Sequence, residues 1–362
     1  MSFFFKSPID IEILLDGEES RKHIELANYS PSTAKTLTES LPLYDDGETV
    51  SGIATLRVRE NNRVEHLGIK ISVVGSIDLI KSSNGNGNSV SNSYKSVDVR
   101  KKSVDQFLCQ SYDLCSAGEL QNSQSFPFVF KNLSKIHESY RGKNVDVSYY
   151  IKVILIRKST DISKIKTFWV NLYSNGPKHN QKNKSLPVIE ASSPKVVEVE
   201  ERTDRDKEND TGAREISQAV SEVKDNHPVK LDIGIENCLH IEFEYAKSYY
   251  SLTDVIVGRI YFLLTRLKIK HMELSLITRE SSGLQSSSTL IDSTAIRYEI
   301  MDGSPVKGET IPIRLFLSGY DLTPTMGSNY FNVKNYLSLV IIDEDGRRYF
   351  KQSEVHLFRS RT

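Results

Sequence analysis

Apolar residues in this chain recur at every second position, segment after segment. In "VDVSYYIKVILIR", Val145, Val147, Tyr149, Ile151, Val153 and Leu155 share one face. In "GIKISVVGSIDLI", Ile69, Ile71, Val73, Gly75, Ile77 and Leu79 do the same, and in "IPIRLFLSG" so do Ile311, Ile313, Leu315 and Leu317. Period two is the signature of a strand with one buried face, and the β-branched and aromatic residues in these runs suit a pleated surface. No helical period of comparable length competes. Many strands joined by short turns, without a βαβ rhythm, predict an all-β chain of antiparallel sandwiches.

The strand-like segments fall into two groups, from about Ile9 to Tyr173 and from about Val229 to Phe358. This predicts an N-terminal lobe over 1–175 and a C-terminal lobe over 229–362. Between them, 176–228 is polar, dense in charge and poor in aromatic residues. It cannot bury enough surface to offset its ordering entropy, so it reads as a flexible insertion, with a short transient helix within "AREISQAVSEVK". The Gly/Asn/Ser-rich stretch 82–96 reads as a loose hairpin tip. The two groups also resemble each other. Aligning "ETVSGIATLRV" with "DVIVGRIYFLL" pairs Val50 with Ile256, Gly52 with Gly258, Ala54 with Ile260, Leu56 with Phe262 and Val58 with Leu264. A Gly at the same place in both predicts a close backbone approach or a bulge.

Composition narrows the function. Of 362 residues 38% are apolar and 26% charged, and Lys+Arg equals Asp+Glu at 47 each. The balance gives no general attraction to nucleic acid or anionic lipid. Three cysteines, Cys109, Cys115 and Cys238, are too few and too odd for a disulfide framework and fit a reducing compartment. The start, "MSFFFKSPIDIEILLDG", lacks the layout of a signal peptide, and no apolar run approaches the roughly 20 residues of a membrane span. The expectation is a cytoplasmic protein with no direct membrane insertion.

The densest candidate chemistry is "GIENCLHIEFEY", residues 234–245, with Cys238, His240, Glu242 and Glu244. As a strand, Leu239, Ile241, Phe243 and Tyr245 face the core and the polar set faces outward. Zinc would need further ligands; His271, Glu273 or a residue on a neighbouring strand are the candidates, and nothing in the sequence marks them. GxSxG, P-loop and HExxH patterns are absent, and "DEDG" at 343–346 reads first as a hairpin turn. The expectation is no catalytic residue, no metal and no cofactor.

Longer stretches carry a family likeness. "GIENCLHIEFEYAKSYYSLTDVIVGRIYFLLTRLKIKHMELSLI", "YEIMDGSPVKGETIPIRLFLSGYDLTPTM" and "DEDGRRYFKQSEV" closely resemble the arrestin-like subunit of retromer, the vacuolar protein sorting complex of endosomes. "YDDGETVSG", "EHLGIKI", "ESYRGKNVDVSYYIKV" and "RKSTDISK" extend the resemblance through the first lobe. The insertion, the 82–96 loop and "SSGLQSSSTLIDST" depart from it.

The resemblance implies two arrestin-like sandwiches in a non-enzymatic scaffold that returns transmembrane cargo from endosome to Golgi. It implies a direct α-solenoid partner, a metallophosphoesterase-like subunit in the same complex, sorting nexins and cytosolic cargo tails. The chain would then be peripheral on endosomal membranes through its partners. Ile300 and Met301 match the family's solenoid-binding position, and Ile233, Gly234 and Phe350 its cargo and nexin groove. Alternation alone leaves open whether Ile300, Met301 or Phe350 faces the core. The alternative is an arrestin-type trafficking adaptor outside retromer. A ubiquitin-ligase adaptor of that type would carry PPxY motifs, and this chain has no Pro-Pro pair.

Overall fold

The computed structural model describes residues 8–30, 35–59, 63–82, 99–174, 176, 228–283 and 289–361. The predicted insertion and its transient helix lie almost wholly outside these residues, as does the 82–96 tip beyond Ser82. The described part is built of strands.

The first ten are β1 (Ile9–Leu15), β2 (His23–Ser30), β3 (Lys35–Asp45), β4 (Val50–Val58), β5 (Val64–Ser82), β6 (Val99–Leu120), β7 (Gln124–Phe130), β8 (Tyr140–Arg141), β9 (Val145–Ile156) and β10 (Ile162–Asn171). They form a three-stranded sheet, β1-β4-β7, facing a larger one, β2-β3-β10-β9-β5-β6, with β8 on β9. The next ten are β11 (Val229–Ile235), β12 (Leu239–Tyr245), β13 (Tyr249–Ser251), β14 (Val255–Thr265), β15 (Ile269–Ser282), β16 (Thr289–Asp302), β17 (Thr310–Phe316), β18 (Met326–Gly327), β19 (Phe331–Asp343) and β20 (Arg348–Phe358). They form β11-β12-β14-β17 facing β13-β20-β19-β15-β16, with β18 on β19.

The two sandwiches share one plan. The order β1-β4-β7 recurs as β12-β14-β17, and β3-β10-β9-β5-β6 recurs as β13-β20-β19-β15-β16. The repeat extends to an exception. Most pairs are antiparallel as the pattern predicts, but β3–β10 and β13–β20 are parallel, each over three residue pairs. The predicted glycine match is structural too. A Cβ on Gly52 would lie 2.0 Å from the carbonyl oxygen of Leu14, and one on Gly258 would lie 2.6 Å from that of Glu244. Gly52 is paired with Leu15, and Gly258 with Tyr245. In both sandwiches a strand crosses its neighbour too closely for a side chain.

Alternation delivers the cores. Val145, Val147, Tyr149, Ile151, Val153 and Leu155 are all buried, as are Ile69, Ile71, Val73 and Ile77. One core joins Ile11, Leu56 and Phe128 of the small sheet to Ile71, Tyr149 and Phe168 of the large one. The second joins Ile241, Ile260 and Phe262 to Leu274, Leu339 and Val355.

Both sandwiches cluster into one compact unit, and a third apolar cluster lies where they meet. Ile77, Val145 and Val147 of the first pack against Phe331 and Val333 of the second. The Tyr140 and Phe331 rings stack beside it, with centroids 6.4 Å apart. Two buried carboxylates hold this junction. Glu280 on β15 accepts from Tyr140 Oη at 2.8 Å, from the Asn144 amide at 2.7 Å and from the Lys143 amide at 3.1 Å. Burial and the adjacent Glu280 push the Tyr140 hydroxyl pKa well above its usual value. Glu138 accepts from the Arg359 guanidinium at 2.7 and 3.1 Å and from the Leu172 amide at 3.3 Å. Gly142 fits only because it lacks a side chain: a Cβ there would lie 1.6 Å from Glu280 Oε2.

Glu280→Ala strands three donors and should cost roughly 3 kcal/mol. Gly142→Ala should lower stability in the same region. Urea unfolding should show both losses. Wild-type stability in Glu280→Ala would show that the carboxylate does not tie the sandwiches together.

Candidate protein-interaction site

In "GIENCLHIEFEY" the apolar half of the alternation is the core side of β12. Leu239, Ile241, Phe243 and Tyr245 are at most 1% exposed. Cys238 does not share the strand face predicted for it. Asn237 takes a left-handed φ of 57°, and the Cys238 amide closes a tight turn onto the Ile235 carbonyl at 3.0 Å. Cys238 is therefore an exposed turn residue. His240 lies 3.8 Å from Asp232, and Lys230 pairs with Glu242 at 2.8 Å, so the outer face is laced by cross-strand ion pairs with β11. His271 and Glu273 are 3.3 Å apart but sit on β15, in the other sheet. Among the described residues no group of three or more His, Cys, Asp or Glu is placed to hold a metal ion.

β11 adds a fourth strand to the small sheet and is its edge. Ile233 opposes Ile241 and is buried, whereas Gly234 opposes His240 and is exposed, with open space where a Cβ would be. The neighbouring strand is β20, which β11 touches. Beside it the Tyr245 hydroxyl, from the core face of β12, donates to Ser353 Oγ on β20 at 2.8 Å. β13 covers β20 only from His356 to Phe358, so Arg348–Val355 are paired with β19 alone. Among the described residues their other side is an unpaired edge. Phe350 stands on it and is 65% exposed, which settles the question that alternation left open.

Ile300 and Met301 lie at the opposite edge of the six-stranded sheet, on β16. The register steps from Met272↔Met301 to Glu273↔Glu299, leaving Ile300 unpaired in a bulge. A bulge re-aims one side chain, so two consecutive residues can lean the same way. Both are half-buried against the second core, in place of one in and one out. Exposed apolar neighbours flank them: Tyr298 on the same strand and Val306 in the following loop, 45% and 73% exposed. Sequence reading did not single these out. The available signal was a Val in the turn-forming stretch "DGSPVKGE".

A cavity of about 540 Å³ opens at the junction of the sandwiches, lined by Arg21, Asp45, Tyr173, Thr253 and Arg359 among others. Arg21 is already used, donating to Glu48 at 2.9 Å with its guanidinium 3.9 Å above the Tyr44 ring. Two half-buried histidines pack against aromatic rings. His137 packs edge-on to Phe107 and Phe331, and His356 packs on Tyr249. Burial lowers the pKa of both below 6.5.

Neutral in the fold, they take up fewer protons than in the unfolded chain as pH drops through about 6.5. Thermal stability should therefore fall from about pH 7.5 to 5.5. His137→Gln with His356→Gln should flatten that slope in a melting series. An unchanged slope would show that these imidazoles are not its source.

The comparisons with known proteins converge. The family profile described as vacuolar protein sorting-associated protein 26 matches residues 5–346. Carboxypeptidase Y-deficient protein 8 of Saccharomyces cerevisiae is 64% identical, over 100% of both chains. Vacuolar protein sorting-associated protein 26 of Schizosaccharomyces pombe is 37% identical, over 100% of this chain and 99% of its own. Human vacuolar protein sorting-associated protein 26B is 40% identical, over 99% of this chain and 88% of its own.

Proposed function

This chain belongs to the Vps26 family and is a retromer subunit of vacuolar and endosomal protein sorting; from that premise we propose that it is a non-catalytic scaffold joining cargo recognition to the rest of the complex. Its work is to present edges and turns. Ile300 and Met301 anchor the α-solenoid subunit directly, and the metallophosphoesterase-like subunit belongs to the same assembly. Sorting nexins and the cytosolic tails of transmembrane cargo share the rim made by β11 and β20. The chain reaches endosomal membranes through these partners. No described helix is long and apolar enough to cross a membrane.

The observation that carries this reading is the half-covered strand β20. An unpaired strand edge offers a row of backbone donors and acceptors to an extended peptide, and a large exposed ring beside it supplies selectivity. Phe350 is that ring, and the buried Ile233 and bare Gly234 keep the facing rim firm and low. The bulge on β16 supports the second assignment. It gathers two apolar side chains at one point, the form of a small interface anchor.

The two surfaces should separate in mutants. Ile300→Asp with Met301→Asn should abolish capture of the solenoid subunit and cost only about 1–2 kcal/mol, since both are half-buried. That variant should keep the joint site for nexin and cargo tail, and Phe350→Asp should do the reverse. Pull-downs with each partner and a melting curve decide it. Collapse of the fold in the first variant, or unchanged nexin and cargo binding in the second, removes the corresponding assignment.

We also propose that 1–175 and 229–362 act as the working lobes and that 176–228 is a tether. Deleting 180–226 should leave complex assembly intact by size-exclusion chromatography. Loss of assembly would show a part played by the insertion.

A further inference from the structure

The half-covered strand β20 has a counterpart in the first sandwich. By the shared plan β10 stands where β20 stands, and β3 where β13 stands. The ladder between β3 and β10 runs only through Leu43↔Trp169, Tyr44↔Val170 and Asp45↔Asn171. The next residue back along β3 is Pro42, which has no N–H to give, and the pairing stops there. Beyond it, among the described residues, Ile162–Phe168 are paired with β9 alone, and β3 is paired with β2 alone. An open groove of about 860 Å³ runs alongside, lined by Glu39 of β3 and by Ser163, Ile165 and Thr167 of β10, and it spreads over the sheet face to Tyr150 and Lys152 of β9 and Asp78 of β5.

The charges beside this edge are uneven. Within the groove Asp146 is taken by Lys101 and Arg141, and Arg141 also holds Glu39. Lys152, which faces Ile165 across the β9–β10 ladder, shares the groove with the carboxylate of Asp78, whereas the exposed Lys164, on the other face of β10, has no ion-pair partner among the described residues. Lys166 reaches Glu18 at 2.5 Å. Ile165 itself is 54% exposed. The edge therefore joins unused backbone groups, one uncovered aliphatic side chain and, on the opposite face, the unpaired lysine at 164.

We propose that the free edge of β10 accepts an extended, acidic peptide segment of a partner protein as an added strand, lying in the groove between β3 and β10. Backbone hydrogen bonds to Ile162–Phe168 hold it, an aliphatic side chain packs on Ile165, and the alternate acidic side chains, on the opposite face, meet Lys164. The site is separate from the β20 rim and does not depend on it.

The test uses the full-length chain and two positional-scanning sets of acetylated octapeptides, one alternating aliphatic with acidic residues and one alternating aliphatic with basic residues. The expected result is saturable binding of the acidic set alone, with slowed amide exchange over residues 162–168. Lys164→Glu should weaken it about tenfold, and Lys152→Glu, one strand away on the aliphatic face, should change it less than twofold. Phe350→Asp should leave it unchanged, so failure here and failure of the β20 reading are distinguishable. No binding, equal binding of both sets, or slowed exchange confined to 348–354 overturns the proposal.

Discussion

A carboxylate buried without a cation is stable only when its oxygens are met by donors held in place, and Glu280 is in that position. Its partners are two backbone amides and a tyrosine hydroxyl from the other sandwich, and no cation is paired with it among the described residues. Removing a charge from water costs several kcal/mol, so these donors must sit where they do. That requirement fixes the turn at Gly142–Asn144, the stacking of Tyr140 on Phe331 and the apolar cluster beneath. The edges discussed above are positioned relative to one another through this junction.

Within that frame, the two sandwiches are variations on one design. Gly52 and Gly258 mark the same crossing, and the two short parallel ladders close the same corner. The differences lie in the added strands. The first sandwich extends its large sheet with β2, whereas the second extends its small sheet with β11. One plan thus offers different rims to the outside. This is how a scaffold built from two copies of a fold comes to have surfaces that are not interchangeable.

Much of this was legible in the sequence, and the limits have physical causes. The core face of β9 is written in its alternation, and all six of its predicted residues are buried. The pairing of Val50 through Val58 with Ile256 through Leu264 survives into structure because both strands must pack on a core at the same period. The parallel ladders were not legible, since three residue pairs leave no pattern. Cys238 was misplaced because a left-handed Asn237 ends the strand where alternation alone would continue it. The bulge at Ile300 was hidden for a related reason: register is a property of two strands, and one strand's sequence does not state it. Tyr349 and Phe350 are adjacent aromatics, so only the structure separates the ring that packs from the one that stands exposed. Glu280 and its donors are 136 to 140 residues apart, beyond any local pattern.

An unpaired strand edge is also an invitation to another copy of the same molecule. Lys164 lines the open part of β10, and Arg348 and Lys351 line that of β20. Joining two copies edge to edge would press like charges together across each new ladder. The positive side chains therefore discourage homotypic aggregation at both strands, and they do so without closing either one to a ligand of opposite sign.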